Sequence, residues 1–127
     1  MGMRILLVDD EEELVTTLAE RLSLRGMNVD WATSGEGALR LVKSNPYDIA
    51  VLDVKIPKIS GIKLKSELKK VNPEMKFIFV TGHGSEDDFK AGTAEAGAGY
   101  YLVKPVNIDV LIQKMNDVLR NEGEKNV

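Results

Sequence analysis

The run Ile49-Ala50-Val51-Leu52 is unbroken apolar chain that stops abruptly on a carboxylate, Asp53. A short apolar run bounded by turn signals is what a strand covered on both faces requires, so this stretch reads as a central strand of a parallel sheet. In an open α/β sheet the carboxyl ends of the strands form the edge where ligands bind, and Asp53 stands at such an end. Three further runs end in the same way. Arg4–Val8 runs into Asp9-Asp10, Phe77–Val80 into Thr81, and Tyr100–Val103 into Lys104-Pro105. If all four are parallel, one edge receives three carboxylates, a hydroxyl and an ammonium.

The segments between these runs read as helices. Leu14, Leu18 and Leu22 repeat on one face, with Val15 and Ala19 beside them, and Gly26 stops that helix. Met27, Val29 and Trp31 alternate with Asn28 and Asp30, the pattern of a half-buried strand at a sheet edge. Thr33 or Ser34 caps a second helix that ends before Asn45-Pro46, and Ser60-Gly61 opens a third with Leu64, Leu68 and Val71 inward. Ser85 with Asp88 resembles a capping box for a fourth, rich in alanine and glycine. Asn107 caps a fifth, whose Ile108, Leu111, Ile112, Met115, Val118 and Leu119 form one apolar stripe. Five alternations of strand and helix predict an α/β, doubly wound, five-stranded parallel sheet with helices on both faces. A chain of 127 residues, 43% of them hydrophobic, is one domain with a real core. Its expected extent is 1–120, followed by a frayed polar tail over 121–127.

Charge and cysteine usage exclude several classes. The formal net charge of −3 comes from acids and bases mixed along the chain, with no clustered basic face, so direct nucleic-acid binding by this domain is not expected. There is no cysteine, hence no disulfide or thiolate metal site. No apolar stretch approaches the roughly 18 residues of a membrane span, and Asp9-Asp10 interrupts the only N-terminal apolar run, so no signal peptide and no membrane association are expected. A cytoplasmic protein is the expectation.

The edge residues suggest a chemistry. Asp9, Asp10 and Asp53 at close range repel one another and call for a cation. Oxygen-only ligands suit Mg²⁺, which binds through one or two carboxylates and keeps several waters. With Lys104 and the Thr81 hydroxyl nearby, the same place can hold a phosphoryl group. A carboxylate nucleophile forming an acyl phosphate is an established catalytic type.

The ordered set Asp9-Asp10, Asp53, Thr81, Lys104-Pro105 resembles that of the receiver domains of bacterial two-component response regulators, the chemotaxis regulator among them, over nearly the whole chain from Met3 to Leu119. The resemblance implies a flavodoxin-like receiver fold with strand order 2-1-3-4-5. It implies that Asp53 accepts phosphate from a sensor histidine kinase or phosphotransfer protein. Mg²⁺ would be held by Asp10, Asp53 and the backbone carbonyl of Lys55, with Asp9 acting through water. Thr81 and Lys104 would contact the phosphoryl oxygens, and Tyr101 matches the family's switch aromatic. The Lys104-Pro105 bond would be cis. Such a protein is a phosphoacceptor that catalyses only its own phosphorylation and dephosphorylation. Its fourth helix, fifth strand and fifth helix would present a changed face to a downstream effector or output domain, with phosphorylation-dependent homodimerisation a further expectation. These residues include no output domain, so the chain is a stand-alone receiver or part of a longer regulator.

Departures from the family pattern are Ile56-Pro57-Lys58-Ile59-Ser60-Gly61 after the acceptor, Lys55 at the site mouth, and Gly99-Tyr100 where two acids are common. The single histidine, His83, lies between two glycines and reads as an exposed loop residue. Two other classes compete. A haloacid-dehalogenase-like phosphatase would need a second acid where Lys55 stands. A flavodoxin-like cofactor binder would need a phosphate loop where the acidic run Asp9–Glu13 stands.

Overall fold

The computed structural model of the chain describes residues 3–82 and 101–125. Within them lie five strands, β1 (Arg4–Val8), β2 (Asn28–Ala32), β3 (Ile49–Asp53), β4 (Lys76–Thr81) and β5 (Tyr101–Val103). Four helices accompany them: α1 (Glu12–Ser23), α2 (Gly35–Ser44), α3 (Gly61–Val71) and α4 (Ile108–Lys125). The helix expected from Ser85, and His83, fall outside the described residues.

The strands form one parallel sheet in the order β2-β1-β3-β4-β5, as expected. Strand β3 is the middle strand. Ala50 pairs with Leu6 on one side and Phe77 on the other, and all five residues of β3 are buried. Successive side chains of a strand point to opposite faces, and the core divides accordingly. Leu6, Val8, Ala50, Leu52, Phe77 and Phe79 meet Ala38 and Val42 of α2 and Leu64 and Leu68 of α3. Ile5, Leu7, Ile49, Val51, Ile78 and Val80 meet Val15, Ala19 and Leu22 of α1 and Leu111, Met115 and Val118 of α4. Each fully buried Leu, Ile or Val contributes about 1.5–3 kcal/mol, so an unbroken apolar run is stable only where helices cover both its faces.

Local signals set the helix starts. Ser34 Oγ accepts from the Gly37 amide and Ser60 Oγ from that of Lys63, while Asn107 Oδ1 accepts from those of Asp109 and Val110. Gly26, at φ 86°, turns the chain from α1 into β2.

Three features depart from the sequence reading. Trp31 is 41% exposed although the alternation groups it with the partly buried Met27 and Val29; β2 is an edge strand with a sheet neighbour on one side only. Val71, expected inward, is the last residue of α3 and is 42% exposed. Helix α4 continues to Lys125, into the segment expected to fray, in keeping with the good helix propensity of Glu and Lys there.

Candidate functional site

The site residues stand at the carboxyl ends of the strands. Asp9 follows β1, Asp53 ends β3, Thr81 ends β4 and Lys104 follows β5. Asp9, Asp53 and Thr81 are buried, whereas Asp10 is exposed.

The two buried carboxylates are held in the same way. Asp9 Oδ1 accepts from the Glu11 amide at 2.9 Å, and Asp53 Oδ1 accepts from the Lys55 amide at 3.1 Å. Each carboxylate thus fixes the start of the loop that follows its own strand. The other oxygens converge on the Lys104 ammonium, Asp9 Oδ2 at 3.0 Å and Asp53 Oδ2 at 3.2 Å. Lys104 is anchored from behind, because its own amide donates to the Thr81 carbonyl at 2.8 Å. The Lys104-Pro105 bond is cis, as the resemblance implies. A third carboxylate, Glu11 Oε1, approaches the ammonium most closely, at 2.8 Å. The sequence reading includes Glu11 only within the acidic run Asp9–Glu13. A signal was present: Glu11 is the N-cap residue of α1, a place where glutamate is not a favoured cap, and its side chain makes no cap bond.

Electrostatics follow from this packing. Burial raises the Asp53 carboxyl above its ordinary value, and the Asp9 charge adds to the rise against the opposing pull of Lys104. Burial alone would lower the Lys104 ammonium, but hydrogen bonds to Glu11 and Asp9 and the charges of Asp9 and Asp53 outweigh it and keep the group protonated. The Lys104 bond lowers the Glu11 carboxyl.

One oxygen from each of Asp9, Asp10 and Asp53 lies within 4.8 Å of the others. An all-oxygen donor set of three carboxylates, two of them buried, fits a hard divalent cation such as Mg²⁺. The Thr81 hydroxyl is fully buried and has no hydrogen-bond partner among the described residues. A buried orphan hydroxyl at the same edge of the sheet calls for an explanation, and an incoming polar ligand supplies one. The Lys55 side chain is exposed at the pocket mouth. Beyond Asp10 the mouth widens into a groove of about 810 Å³ over Val54, Ile56, Pro57 and Ile59. Tyr101 lies apart from the pocket on the edge strand, paired with Phe79 and 45% exposed.

The loop back into α3 is fitted to the end of β3. The Gly61 amide donates to the Val54 carbonyl at 2.8 Å, and a β-carbon on Gly61 would lie 2.3 Å from the Asp53 carbonyl oxygen. Only glycine allows that approach.

The family described as response regulator receiver domain matches residues 5–116. Transcriptional regulatory protein GlrR of Escherichia coli (strain K12) is 37% identical over 119 residues, which are 94% of this chain and 27% of that protein. The chain spans about a quarter to a half of the length of the curated relatives it matches. A CheY-like receiver domain protein from Methanospirillum hungatei JF-1 superposes with a TM-score of 0.86 at 30% identity, covering 98% of this chain and 99% of that one. A response regulator from Burkholderia pseudomallei, whose crystal structure holds a phosphorylated aspartic acid, a calcium ion and citrate, gives 0.79 at 26% identity, covering 99% and 76%. No helix among the described residues is long and apolar enough to cross a membrane. With strand order and family match in agreement, the chain belongs to the receiver domains of two-component response regulators.

Proposed function

We propose that Asp53 is the phosphoacceptor of a phosphorylation-driven switch. The observation that carries this reading is the convergence of Asp9, Asp53 and Lys104, with the orphan Thr81 hydroxyl at the end of the neighbouring strand β4. A carboxylate oxygen of Asp53 attacks the phosphorus of a phosphohistidine on a sensor kinase or phosphotransfer protein. The P–O bond forms, the P–N bond breaks, and the leaving imidazole takes up a proton. Lys104 turns an N–H toward a phosphoryl oxygen, and Thr81 donates its hydroxyl proton to another. Asp10, Asp53 and the Lys55 carbonyl, with Asp9 in support, would hold Mg²⁺, which would supply charge neutralisation when bound. The phosphorylated aspartic acid and calcium ion of the Burkholderia relative support the reading.

Movement of Thr81 toward the phosphoryl group would draw Tyr101 inward and bias the face that carries β5 and α4. That face exposes Tyr101, Val103 and Val110, and suits an effector, an output domain or a second receiver. The setting is cytoplasmic. Incubation with acetyl phosphate and Mg²⁺ tests the assignment by mass: wild type gains one phosphate and Asp53→Asn none. An unchanged gain in the variant would move the acceptor elsewhere.

A further inference from the structure

We propose that Glu11 is a positioning residue that competes with the phosphoryl group for the Lys104 ammonium. The inference rests on the reading above, in which Lys104 meets a phosphoryl oxygen. A lysine ammonium has three N–H donors. Here three carboxylate oxygens lie within reach of it, Glu11 Oε1 at 2.8 Å, Asp9 Oδ2 at 3.0 Å and Asp53 Oδ2 at 3.2 Å. Glu11 Oε1 and Asp53 Oδ2 accept hydrogen bonds from the ammonium and Asp9 Oδ2 forms an ion pair, so an arriving phosphoryl oxygen competes with partners already in place.

Burial decides which partner yields. The Asp9 and Asp53 side chains are 9% and 6% exposed, and the Glu11 side chain is 62% exposed. Releasing Asp9 would leave a buried carboxylate short of a partner in a place water reaches poorly, and Asp53 is the carboxylate to which the phosphoryl group attaches. Releasing Glu11 hands its carboxylate to solvent. Glu11 is therefore the exchangeable ligand of Lys104, and each binding of a phosphoryl group begins by breaking that contact.

The helix gains nothing from this placement. Glu11 stands at the N-cap of α1 with its side chain turned away from the helix amides, toward a lysine 93 positions along the chain. Its backbone does the local work, the amide donating to Asp9 and the carbonyl accepting from Val15. The side chain can thus be changed without removing a cap.

The test measures beryllofluoride affinity at saturating Mg²⁺, by fluorine NMR, for wild type, Glu11→Gln and Glu11→Asp, with melting temperatures as a control on folding. Glu11→Gln keeps the shape and removes the charge. Glu11→Asp keeps the charge but is one methylene too short for Lys104 and is drawn to the helix amides as a cap. Both variants should bind beryllofluoride about two- to fivefold more tightly, the size expected for loss of one exposed ion pair. Acetyl phosphate should phosphorylate them faster by a similar factor. Unchanged or weaker binding by Glu11→Gln overturns the proposal. Tighter binding by Glu11→Gln with wild-type affinity in Glu11→Asp also overturns it, because local charge rather than the Lys104 contact would then govern the site. A wild type that itself fails to bind beryllofluoride would count instead against the phosphoacceptor reading.

Discussion

Thr81 and Asp53 are residues whose native placement works against stability. The buried Thr81 hydroxyl lacks a partner among the described residues, and such a group costs on the order of 1–3 kcal/mol. Thr81→Val, nearly the same shape without the hydroxyl, should raise the melting temperature by a few degrees, of order 4 °C per kcal/mol. The same variant should lose about tenfold in beryllofluoride affinity, because a hydrogen bond to a charged group is worth about 1.5–3 kcal/mol. Thermal melts and fluorine NMR on one preparation check both. Asp53 behaves likewise toward pH. Its carboxyl is raised in the fold, first by burial and then by Asp9. The native state therefore holds that proton more tightly than the unfolded chain does. The resulting contribution is full below the unfolded value of about 3.9 and is lost as pH rises through the native value. Without metal, Asp53→Asn should melt about 2–4 °C above wild type at pH 7, a gap that closes as the pH falls into the carboxylate range. Melts in a chelator between pH 3.5 and 7.5 would show it, and a gap that widened on acidification would contradict it.

Among the elements, the β3–α3 connection is the one fitted most closely to the site. With the Asp53 carbonyl 2.3 Å from where a β-carbon would sit, Gly61→Ala must push either the Asp53 backbone or the start of α3. A destabilisation of about 1–3 kcal/mol is expected from such crowding, together with slowed phosphorylation by acetyl phosphate. Loss of stability with unchanged phosphorylation would mean that α3 alone gives way. The sequence shows Ser60 and Gly61 as a helix start and reveals nothing of this contact, because the approach is made between backbones eight positions apart. What was legible had a local cause. Apolar runs ending in polar residues marked the strands, and Ser34, Ser60 and Asn107 marked three caps. The exposure of Trp31 and Val71 was not legible, since periodicity states which residues share a face and not how far the covering layer extends. The Glu11–Lys104 contact joins elements far apart in the chain, and no spacing rule within a single helix or strand reaches that far.

For the whole molecule, the clustered acids predict a fold whose stability responds to divalent cations. Oxygens of Asp9, Asp10 and Asp53 within 4.8 Å of one another form a site that exists only when the sheet is assembled. Binding to the native state alone stabilises by mass action, about 2.7 kcal/mol at a hundred times the dissociation constant. Mg²⁺ should therefore raise the melting temperature of wild type more than that of Asp10→Asn, in which the exposed carboxylate is removed. Equal responses in calorimetry would place the cation elsewhere.

Asp53, the proposed acceptor, and Lys104 belong to parts of the sheet with unequal support. Strand β3 is buried along its whole length and has neighbours on both sides; β5 is a three-residue edge strand with Tyr101 and Val103 exposed. Amide hydrogen exchange separates such regions, since core strands open only in global unfolding and edges open locally. Amides of β3 should exchange at the global limit, and those of β5 faster by orders of magnitude. Addition of Mg²⁺ and beryllofluoride should then slow β5 far more than the stabilisation of the whole fold explains. Phosphate chemistry would in that way be struck on an anvil that does not yield, and its signal would be registered as a change in the breathing of the sheet's loosest strand.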